Sequence, residues 1–449
     1  MRKIASLIAL ATTLVSAPTF AAPAPAPAVG GDALSIVTDL TTEVGQRLAG
    51  SPREAVARDW AVARLTALGF AKVHIEPFTI PGWERGAETA SITAPVPQKL
   101  AVTALGYSGA TAAEGVTADL VYFPTMEALK AAPDGSLAGK IAFIDHAMKA
   151  AQDGGGYGPF GAARRQGPTI AARKGAVAVL IRSIGTDHSR IPHTGVTSWA
   201  KDVKPIAAGA VSSPDADLIA RLAGRGAALC VALTMTPRFT GEAPSGNVVA
   251  DLPGRDPKLP PILVGCHLDS WDLATGAIDD GAGCAIITAA ALQAAKDGQL
   301  ARTIRVLWAG TEETGGFGGQ AYAAAHANEP HALVLESDTG ADRVFRVTFQ
   351  MAAADKPLAE RITADLARFG VYAGDGKPEG GEDVGFIAAK QKTAVIDLNQ
   401  DMTRYFDWHH TPDDTLDKID PAQLQQNVDV WAAVLRIVAN VSRPIAPAS

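Results

Sequence analysis

The sequence predicts an α/β fold built on a mostly parallel sheet with helices on both faces. After Gly246, short apolar segments with strand character alternate with longer segments of helical periodicity, at residues 262–266, 283–296, 303–309, 317–327 and 332–336. This alternation is typical of parallel strands joined by crossover helices. The chain has 449 residues, 47% of them hydrophobic, which is enough for two domains with cores of their own.

The remaining elements fit around this sheet. Apolar residues recur at helical spacing over residues 33–69, with a break at Gly50-Ser51-Pro52, and residues 73–80 predict a strand. Towards the end of the chain, the pattern predicts a helix, a strand and a long final helix that begins at a proline, at residues 356–369, 393–398 and 421–441.

Between residues 109 and 242 the chain changes character. A turn leads into a predicted strand at residues 137–146, a glycine-rich loop follows, and residues 176–181 predict another strand. We interpret this stretch as an inserted domain, which divides the main domain into an N-terminal part at residues 31–108 and a larger part at residues 243–449.

The N-terminal residues predict export. Arg2 and Lys3 precede an apolar run over residues 4–15, and small residues follow around Ala21 and Ala22. The run is shorter than the roughly 20 residues that a helix needs to cross a bilayer. We therefore expect a cleaved signal peptide at residues 1–22, a Pro/Ala linker at residues 23–30, a periplasmic or extracellular location and no membrane partner.

The charge of the chain bears on its binding partners, and its cysteine content bears on disulfide bonding. Forty basic and 47 acidic residues give a net charge of -7, and no Lys/Arg run is long enough to form a groove for nucleic acid, so a nucleic-acid partner is not expected. The three cysteines, Cys230, Cys266 and Cys284, allow at most one internal disulfide, and the sequence leaves the pairing open. Cys266 ends a predicted strand and Cys284 lies in a predicted helix, so both are expected to be small buried hydrophobes.

Polar residues suited to chemistry directly follow the predicted strands. In open α/β sheets, ligands bind at the carboxyl ends of the strands. The first strand is followed by His267, with Asp269 placed to fix its ring from behind. The other candidates follow strands or lie in loops beside them: Asp279, Glu312, Glu313, Asp338, His409 and His410.

Metal binding is the chemistry that this set of side chains favours. Clustered carboxylates raise each other's pKa unless cations neutralise them, and imidazole with carboxylate ligands favours zinc over calcium. Two zinc ions about 3.5 to 4 Å apart, bridged by a carboxylate, would generate a hydroxide nucleophile. One of the paired glutamates must then stay unligated to act as general base. The sequence predicts two Zn²⁺ per chain and hydrolysis of an amide bond.

Singly, each of these residues has an ordinary explanation, as a rim histidine or a solvated acidic pair. Their recurrence at successive strand ends favours the metal hypothesis. The GxGxxG pattern at residues 156–161 follows no predicted strand and opens no predicted helix, so we interpret it as a loop. His188 and His193 lack an acidic partner pattern and are predicted to lie on the surface. The aromatic residues beside the ligand loops either pack in the core or line a substrate pocket: Trp271, Tyr405, Phe406 and Trp408.

Five sequence motifs together resemble those of a known protein family. They are HLDSWD at 267–272, IDDGAG at 278–283, TEETGG at 311–316, ESD at 336–338 and YFDWHHTPDDT at 405–415. Together they resemble the M28 metallopeptidases and, within them, the carboxypeptidase Q (plasma glutamate carboxypeptidase) branch. The similarity extends over the whole mature chain.

The resemblance assigns roles to the candidate residues. It implies that Asp279 bridges two zinc ions, one completed by His267 and Asp338 and the other by Glu313 and His410. The imidazole that directly precedes the Thr/Ser-x-x-Asp-Thr pattern is the ligand in this family, which selects His410 over His409. Glu312 is then the catalytic base, and Asp269 orients a ligand.

The resemblance also implies a phosphorylase/hydrolase-like zinc peptidase fold with an inserted, β-rich protease-associated domain. The implied substrate is a short peptide or dipeptide, cut next to its free N-terminus, and the family suggests a homodimer. Residues 381–384 depart from the Ser/Thr-Asp-His pattern of many relatives, which puts substrate contacts there in doubt. The expected pocket residues are Trp271, Asp383, Tyr405, Phe406 and His409.

Two other functions would use the same architecture. One is a glutaminyl cyclase, which normally works with a single zinc ion. The other is a catalytically silent binding module, in which metal ligands have typically been lost. The complete set of ligands for two metals disfavours both alternatives.

Overall fold

The computed structural model describes residues 30–447, so the predicted signal peptide and most of the linker lie outside the described residues. The helices are α1 (Ala33–Asp39), α2 (Pro52–Ala67), α3 (Met126–Ala131), α4 (Tyr157–Arg165), α5 (Gly167–Arg173), α6 (Ser213–Gly224), α7 (Ala282–Ala295), α8 (Phe317–Ala325), α9 (Lys356–Leu366), α10 (Val384–Gln391), α11 (Tyr405–Trp408) and α12 (Pro421–Val438).

Two eight-stranded sheets organise this part of the chain. The strands are β1 (Ala71–Glu84), β2 (Glu88–Ala94), β3 (Gln98–Leu100), β4 (Val102–Ala104), β5 (Val116–Phe123), β6 (Ile141–Ile144), β7 (Ala178–Arg182), β8 (Ala207–Val211), β9 (Cys230–Met235), β10 (Arg238–Leu252), β11 (Ile262–His267), β12 (Ile304–Ala309), β13 (Leu333–Glu336), β14 (Val344–Gln350), β15 (Tyr372–Ala373) and β16 (Ala394–Gln400).

The first sheet is mixed, with a parallel centre. Its order is β1-β10-β12-β11-β13-β16-β14-β15, and the four central strands β12, β11, β13 and β16 run parallel. β10 runs antiparallel to both of its neighbours, and β14 runs antiparallel to β16. The α/β class is therefore confirmed, whereas a mostly parallel sheet describes only the centre, where crossover helices connect successive strands.

Helices cover both faces of the first sheet. Alternate residues of a strand point to opposite faces, and in β11 Ile262 and Val264 join one buried cluster while Leu263 joins another. α7 and α12 pack together on the first side, and α8 packs with α10 on the other. α7 is buried along most of its length because its sequence, AGCAIITAAALQAA, is apolar around the whole helix.

The second sheet has the order β3-β2-β9-β5-β6-β7-β8-β4 and a parallel centre of its own, β5 to β8. The chain leaves the first sheet along β1 and returns to it along β10, and these two long strands pair with each other. β2, β3 and β4 belong to the second sheet although they precede residue 109. The domain boundaries at residues 109 and 242 stay a prediction.

Cys266 and Cys284 form a disulfide bond, with their Cα atoms 5.1 Å apart. Both side chains are fully buried, as expected, and their bond is the one internal disulfide that the sequence allowed without fixing its partners. The end of β11 lies against the first turn of α7, which brings the two residues together. Cys230 is free.

None of the helices between residues 30 and 447 combines the length and hydrophobicity of a membrane-spanning segment.

Candidate metal centre

The predicted ligands meet at one edge of the first sheet. His267 ends β11, Glu313 follows β12 and Asp338 follows β13, and these three strands are parallel neighbours. Asp279 lies in the turn Ala277–Gly281, just before α7, and its own backbone is not helical. His410 lies two residues after α11. The parallel pairing explains the convergence, because the carboxyl ends of parallel strands lie along the same edge.

One group of potential ligands consists of His267, Asp279 and Asp338. The Nε2 atom of His267 lies 3.1 Å from Oδ1 of Asp279 and 3.2 Å from Oδ1 of Asp338. One ligand atom from each of the three residues lies within 4.8 Å of the others, which is close enough to bind a single cation.

The second group uses the other oxygen of the same aspartate. The Nε2 atom of His410 lies 3.4 Å from Oδ2 of Asp279 and 2.8 Å from Oε2 of Glu313. Asp279 therefore directs one carboxylate oxygen to each group, which is the geometry that a carboxylate bridging two metals needs.

The orientation of both imidazoles suits metal binding through Nε2. Nδ1 of His267 lies 3.0 Å from the carbonyl oxygen of Asp269, and Nδ1 of His410 lies 3.3 Å from that of Thr194. When Nδ1–H donates to a carbonyl, the lone pair of Nε2 faces the carboxylates. Asp269 thus holds the ring of His267 mainly through its backbone, since its Oδ1 lies 3.7 Å away and accepts a hydrogen bond from the backbone N–H of Glu312.

Two carboxylates of the site are buried in a way that favours cation binding. Oδ2 of Asp279 and Oε1 of Glu313 are buried without a hydrogen-bond partner, a costly arrangement unless a cation binds them. Burial, followed by the charges of Asp279 and Glu312, raises the pKa of Glu313 well above its usual value. Two divalent cations would stabilise the ionised carboxylates, so the residues present fit a two-metal centre.

Glu312 neighbours Glu313 in the chain, but its carboxylate makes none of the imidazole contacts that define the two groups. It lines the same cavity as the ligands. Burial and then the charge of Asp338 raise the pKa of Glu312 well above that of an ordinary glutamate. A carboxylate that borders the metal centre without being a ligand can accept a proton from a bound water.

His409 and His410 are hard to tell apart by position alone. Their rings stack with centroids 3.4 Å apart, and Nε2 of His409 lies 3.6 Å from Oδ2 of Asp279. Only His410 also contacts Glu313, which favours it as the ligand.

A pair of variants tests this choice. His410→Ala is expected to lower the metal content of the purified protein by one equivalent per chain, because it removes a ligand of the second group. His409→Ala serves as the matched control and is expected to keep the full metal content. Atomic absorption on both proteins after dialysis decides the matter; loss of metal from His409→Ala alone would reverse the assignment.

A cavity of about 720 Å³ opens over the metal centre. Of the predicted pocket residues, Tyr405, Phe406 and His409 line it. Trp271 is instead buried in the core of the second sheet, and Asp383 is buried at the start of α10 without a hydrogen-bond partner for its carboxylate. Neither of these two forms part of the cavity wall.

Arg47 holds the loop between the candidate ligands His267 and Asp279. Its guanidinium is fully buried and donates hydrogen bonds to three carbonyl oxygens of that loop, those of Leu268, Thr275 and Gly276, at 2.6, 2.5 and 3.0 Å. Sequence reasoning missed Arg47, since nothing near it in the chain marks a partner more than 200 residues away.

The second sheet also contributes to the site. The guanidinium of Arg164, on α4, donates a hydrogen bond to the hydroxyl of Tyr157 at 2.7 Å and lies 3.3 Å from Nδ1 of His410, whose N–H faces the Thr194 carbonyl instead. The GxGxxG segment does open a helix, α4, so its interpretation as a loop is wrong. Glycines and a proline in the first turn concealed the helical pattern.

The surface location predicted for His193 is also wrong. Its ring is buried, with Nδ1 2.7 Å from the carbonyl oxygen of His409 and Nε2 2.8 Å from Oδ1 of Asp187. Asp187, six residues earlier in the sequence, could have indicated an acidic partner for His193. His188 is exposed as predicted, although it pairs with Asp217.

Comparisons with known proteins agree with this geometry. Residues 247–435 match the sequence profile of "Peptidase family M28". The chain is 34% identical to "Carboxypeptidase Q" of Bos taurus over 415 residues, which cover 90% of this chain and 84% of the relative.

Solved structures extend the likeness. A "Peptidase M28 precursor" from Shewanella amazonensis shares 44% identity with a TM-score of 0.89, over 94% of this chain and 96% of that one. A zinc aminopeptidase from Bacillus subtilis has the same fold at 18% identity and a TM-score of 0.64, over 91% of this chain and 95% of that one. The chain therefore belongs to peptidase family M28, which confirms the metallo-exopeptidase class predicted from its motifs.

Proposed function

We propose that the protein is an exported di-zinc aminopeptidase or dipeptidase that cuts the peptide bond next to the free N-terminus of short peptides. The observation that carries the proposal is the position of Asp279, whose two oxygens face two different groups of ligands. Zinc is the metal that one imidazole and carboxylate oxygens in each group favour. A glutaminyl cyclase with one zinc ion would leave the second group unexplained.

The residues around the metals supply the rest of the chemistry. Two zinc ions bound here would lower the pKa of a shared water and polarise the scissile carbonyl group. Glu312 is placed to take the proton from that water and to pass it to the leaving amine. His267 and Asp338 would hold one metal ion, and Glu313 and His410 would hold the other.

The shape of the cavity supports a short substrate. Its wall is formed by the rim of the first sheet and by residues of the second sheet's part of the chain, including Tyr157, Val196 and Ser198. Its volume of about 720 Å³ lies in the range of pockets that take small ligands, which supports a short peptide as the substrate.

Two observations support export. The apolar run after Arg2 and Lys3 has the character of a signal peptide. The disulfide between Cys266 and Cys284 suits an oxidising compartment such as the periplasm or the extracellular space.

The proposal is tested with metal analysis and blocked substrates. We expect about two zinc equivalents per chain and cleavage of fluorogenic aminoacyl substrates and free dipeptides. N-acetylation of the same substrates is expected to abolish cleavage, because the free amine is lost. Equal rates on free and acetylated substrates would exclude an aminopeptidase, and one zinc equivalent with cyclase activity would favour the glutaminyl cyclase.

A further inference from the structure

The candidate ligand His410 has an unusual backbone conformation. Its φ angle is 62°, in the left-handed region that residues with a Cβ atom adopt only uncommonly. A residue stays in this region where the surrounding structure fixes it. The contacts that fix it here come from the second sheet's part of the chain, from the neighbouring residues His193 and Thr194.

Hydrogen bonds hold both peptide groups that flank the Cα atom of His410. The carbonyl group of His409 belongs to the peptide group before this atom, and its oxygen lies 2.7 Å from Nδ1 of His193. Because a carbonyl oxygen can only accept, the imidazole donates. The carbonyl oxygen of His410 belongs to the peptide group after the same atom and accepts from the backbone N–H of Thr194 at 3.0 Å. The orientations of these two groups define φ and ψ, so the contacts fix the direction in which the His410 side chain leaves the backbone.

The ring of His193 is itself held in place. It is 1% exposed, and its Nε2 atom lies 2.8 Å from Oδ1 of Asp187. The backbone N–H of His193 donates to the hydroxyl of Ser183 at 2.9 Å. Gly185 leaves room for the ring, since a Cβ atom there would come within 2.3 Å of it. A buried ring that is held at both nitrogens has little freedom, so it can fix the position of the group that it contacts.

A further pair of contacts joins the same two segments. The backbone N–H of Thr186 donates to the carbonyl oxygen of Phe406 at 3.1 Å, and the Thr186 hydroxyl donates to Oδ1 of Asp407 at 2.7 Å. Residues 183–194, which follow β7, therefore run along residues 406–410. The position of the His410 loop depends on this one segment of the second sheet's part of the chain.

We propose that His193 is a positioning residue for the second group of metal ligands. It holds the His409 carbonyl and thereby keeps Nε2 of His410 directed at Glu313. The inference rests on the proposed function, in which this group binds one of two zinc ions. His193 acts through its neighbours, since it is buried behind the loop and outside the cavity wall. Without its hydrogen bond, the backbone of His410 is expected to leave the left-handed region and turn the ring away from the carboxylates.

The test uses variants that keep one or the other hydrogen bond of the His193 ring. The side-chain nitrogen of asparagine takes the place of Nδ1, and that of glutamine takes the place of Nε2. His193→Asn therefore keeps a donor for the His409 carbonyl, whereas His193→Gln keeps only the contact with Asp187. His193→Ala removes both contacts. His188→Ala is the matched control, because His188 is an exposed histidine of the same segment that pairs with Asp217.

Zinc affinity is measured by competition with a chromophoric chelator and followed at both equivalents. His193→Ala and His193→Gln are expected to weaken one zinc equivalent by about 10- to 100-fold, the loss typical of residues that orient a metal ligand, and to leave the other within about twofold of the wild type. His193→Asn is expected to bind both equivalents within about threefold of the wild type, and His188→Ala should change neither.

The asparagine and glutamine variants decide the matter even where His193→Ala does not fold. Equal zinc affinities in these two variants, or a loss shared by both zinc equivalents, would overturn the positioning role. A general loss of stability would distinguish neither the two amides nor the two metals.

The same titration separates this inference from the proposed function. If the wild type binds two equivalents and the variants behave as expected but no peptide is cleaved, the positioning role stands and the proposed activity fails. If the wild type cleaves peptides with two equivalents bound, and His193→Gln binds both as tightly, the positioning role fails and the proposed function stands.

Discussion

Replacing Glu312 by Gln is expected to lower kcat by about 10²- to 10⁴-fold, the contribution that a positioned general base makes to catalysis. The amide cannot accept a proton from the metal-bound water. The variant should keep its metal, because the Glu312 carboxylate makes none of the imidazole contacts that define the two groups of candidate ligands. Measuring kcat and zinc content on the same preparation tests both halves of this expectation.

Glu382→Gln is the matched control for that experiment. Glu382 lines the same cavity with an exposed carboxylate but lies outside both ligand groups. Its variant is expected to keep turnover within a few-fold of the wild type. Turnover close to wild type in Glu312→Gln would exclude Glu312 as the base and leave the proton transfer to another group.

Replacing Asp279 by Ala is expected to have the largest effect on the metals. A single carboxylate faces both ligand groups, so its loss weakens two sites at once. We expect the purified variant to contain less than about half an equivalent of zinc per chain after dialysis, with no measurable turnover. Circular dichroism should confirm that the fold survives.

Asp338→Ala is the control that tests whether Asp279 bridges two metals or serves only one. Asp338 contacts only the His267 group, so its variant is expected to lose one zinc equivalent and to keep the other. If Asp279→Ala kept one full equivalent as Asp338→Ala does, then Asp279 would serve one metal and would not be a bridge.

The convergence of three candidate ligands could be predicted from sequence because each of them ends or follows a strand of the first sheet. His267, Glu313 and Asp338 end or follow three neighbouring parallel strands, so strand order alone brings them together. Composition could not show which of Glu312 and Glu313 is the ligand and which is the base. The motif resemblance supplied that assignment.

The contributions of the second sheet could not be found in the same way. Arg164 and His193 contact the loop of His409 and His410, from which they are separated by more than 200 residues in sequence. No local sequence pattern indicates contacts of this kind. The antiparallel pairing of β10 with β12 was not predicted either. The apolar pattern of one strand does not show whether it will pair parallel or antiparallel to its neighbour.

The disulfide between Cys266 and Cys284 has a practical consequence for making this enzyme. It joins the residue before His267 to the first turn of the helix that follows Asp279, so it closes the loop on which two candidate metal ligands lie. Closing a loop of 18 residues contributes about 3 kcal/mol by restricting the unfolded chain. Recombinant protein purified from a reducing cytosol would lack this tie, so preparations intended for metal titration should be secreted by the host or oxidised during refolding.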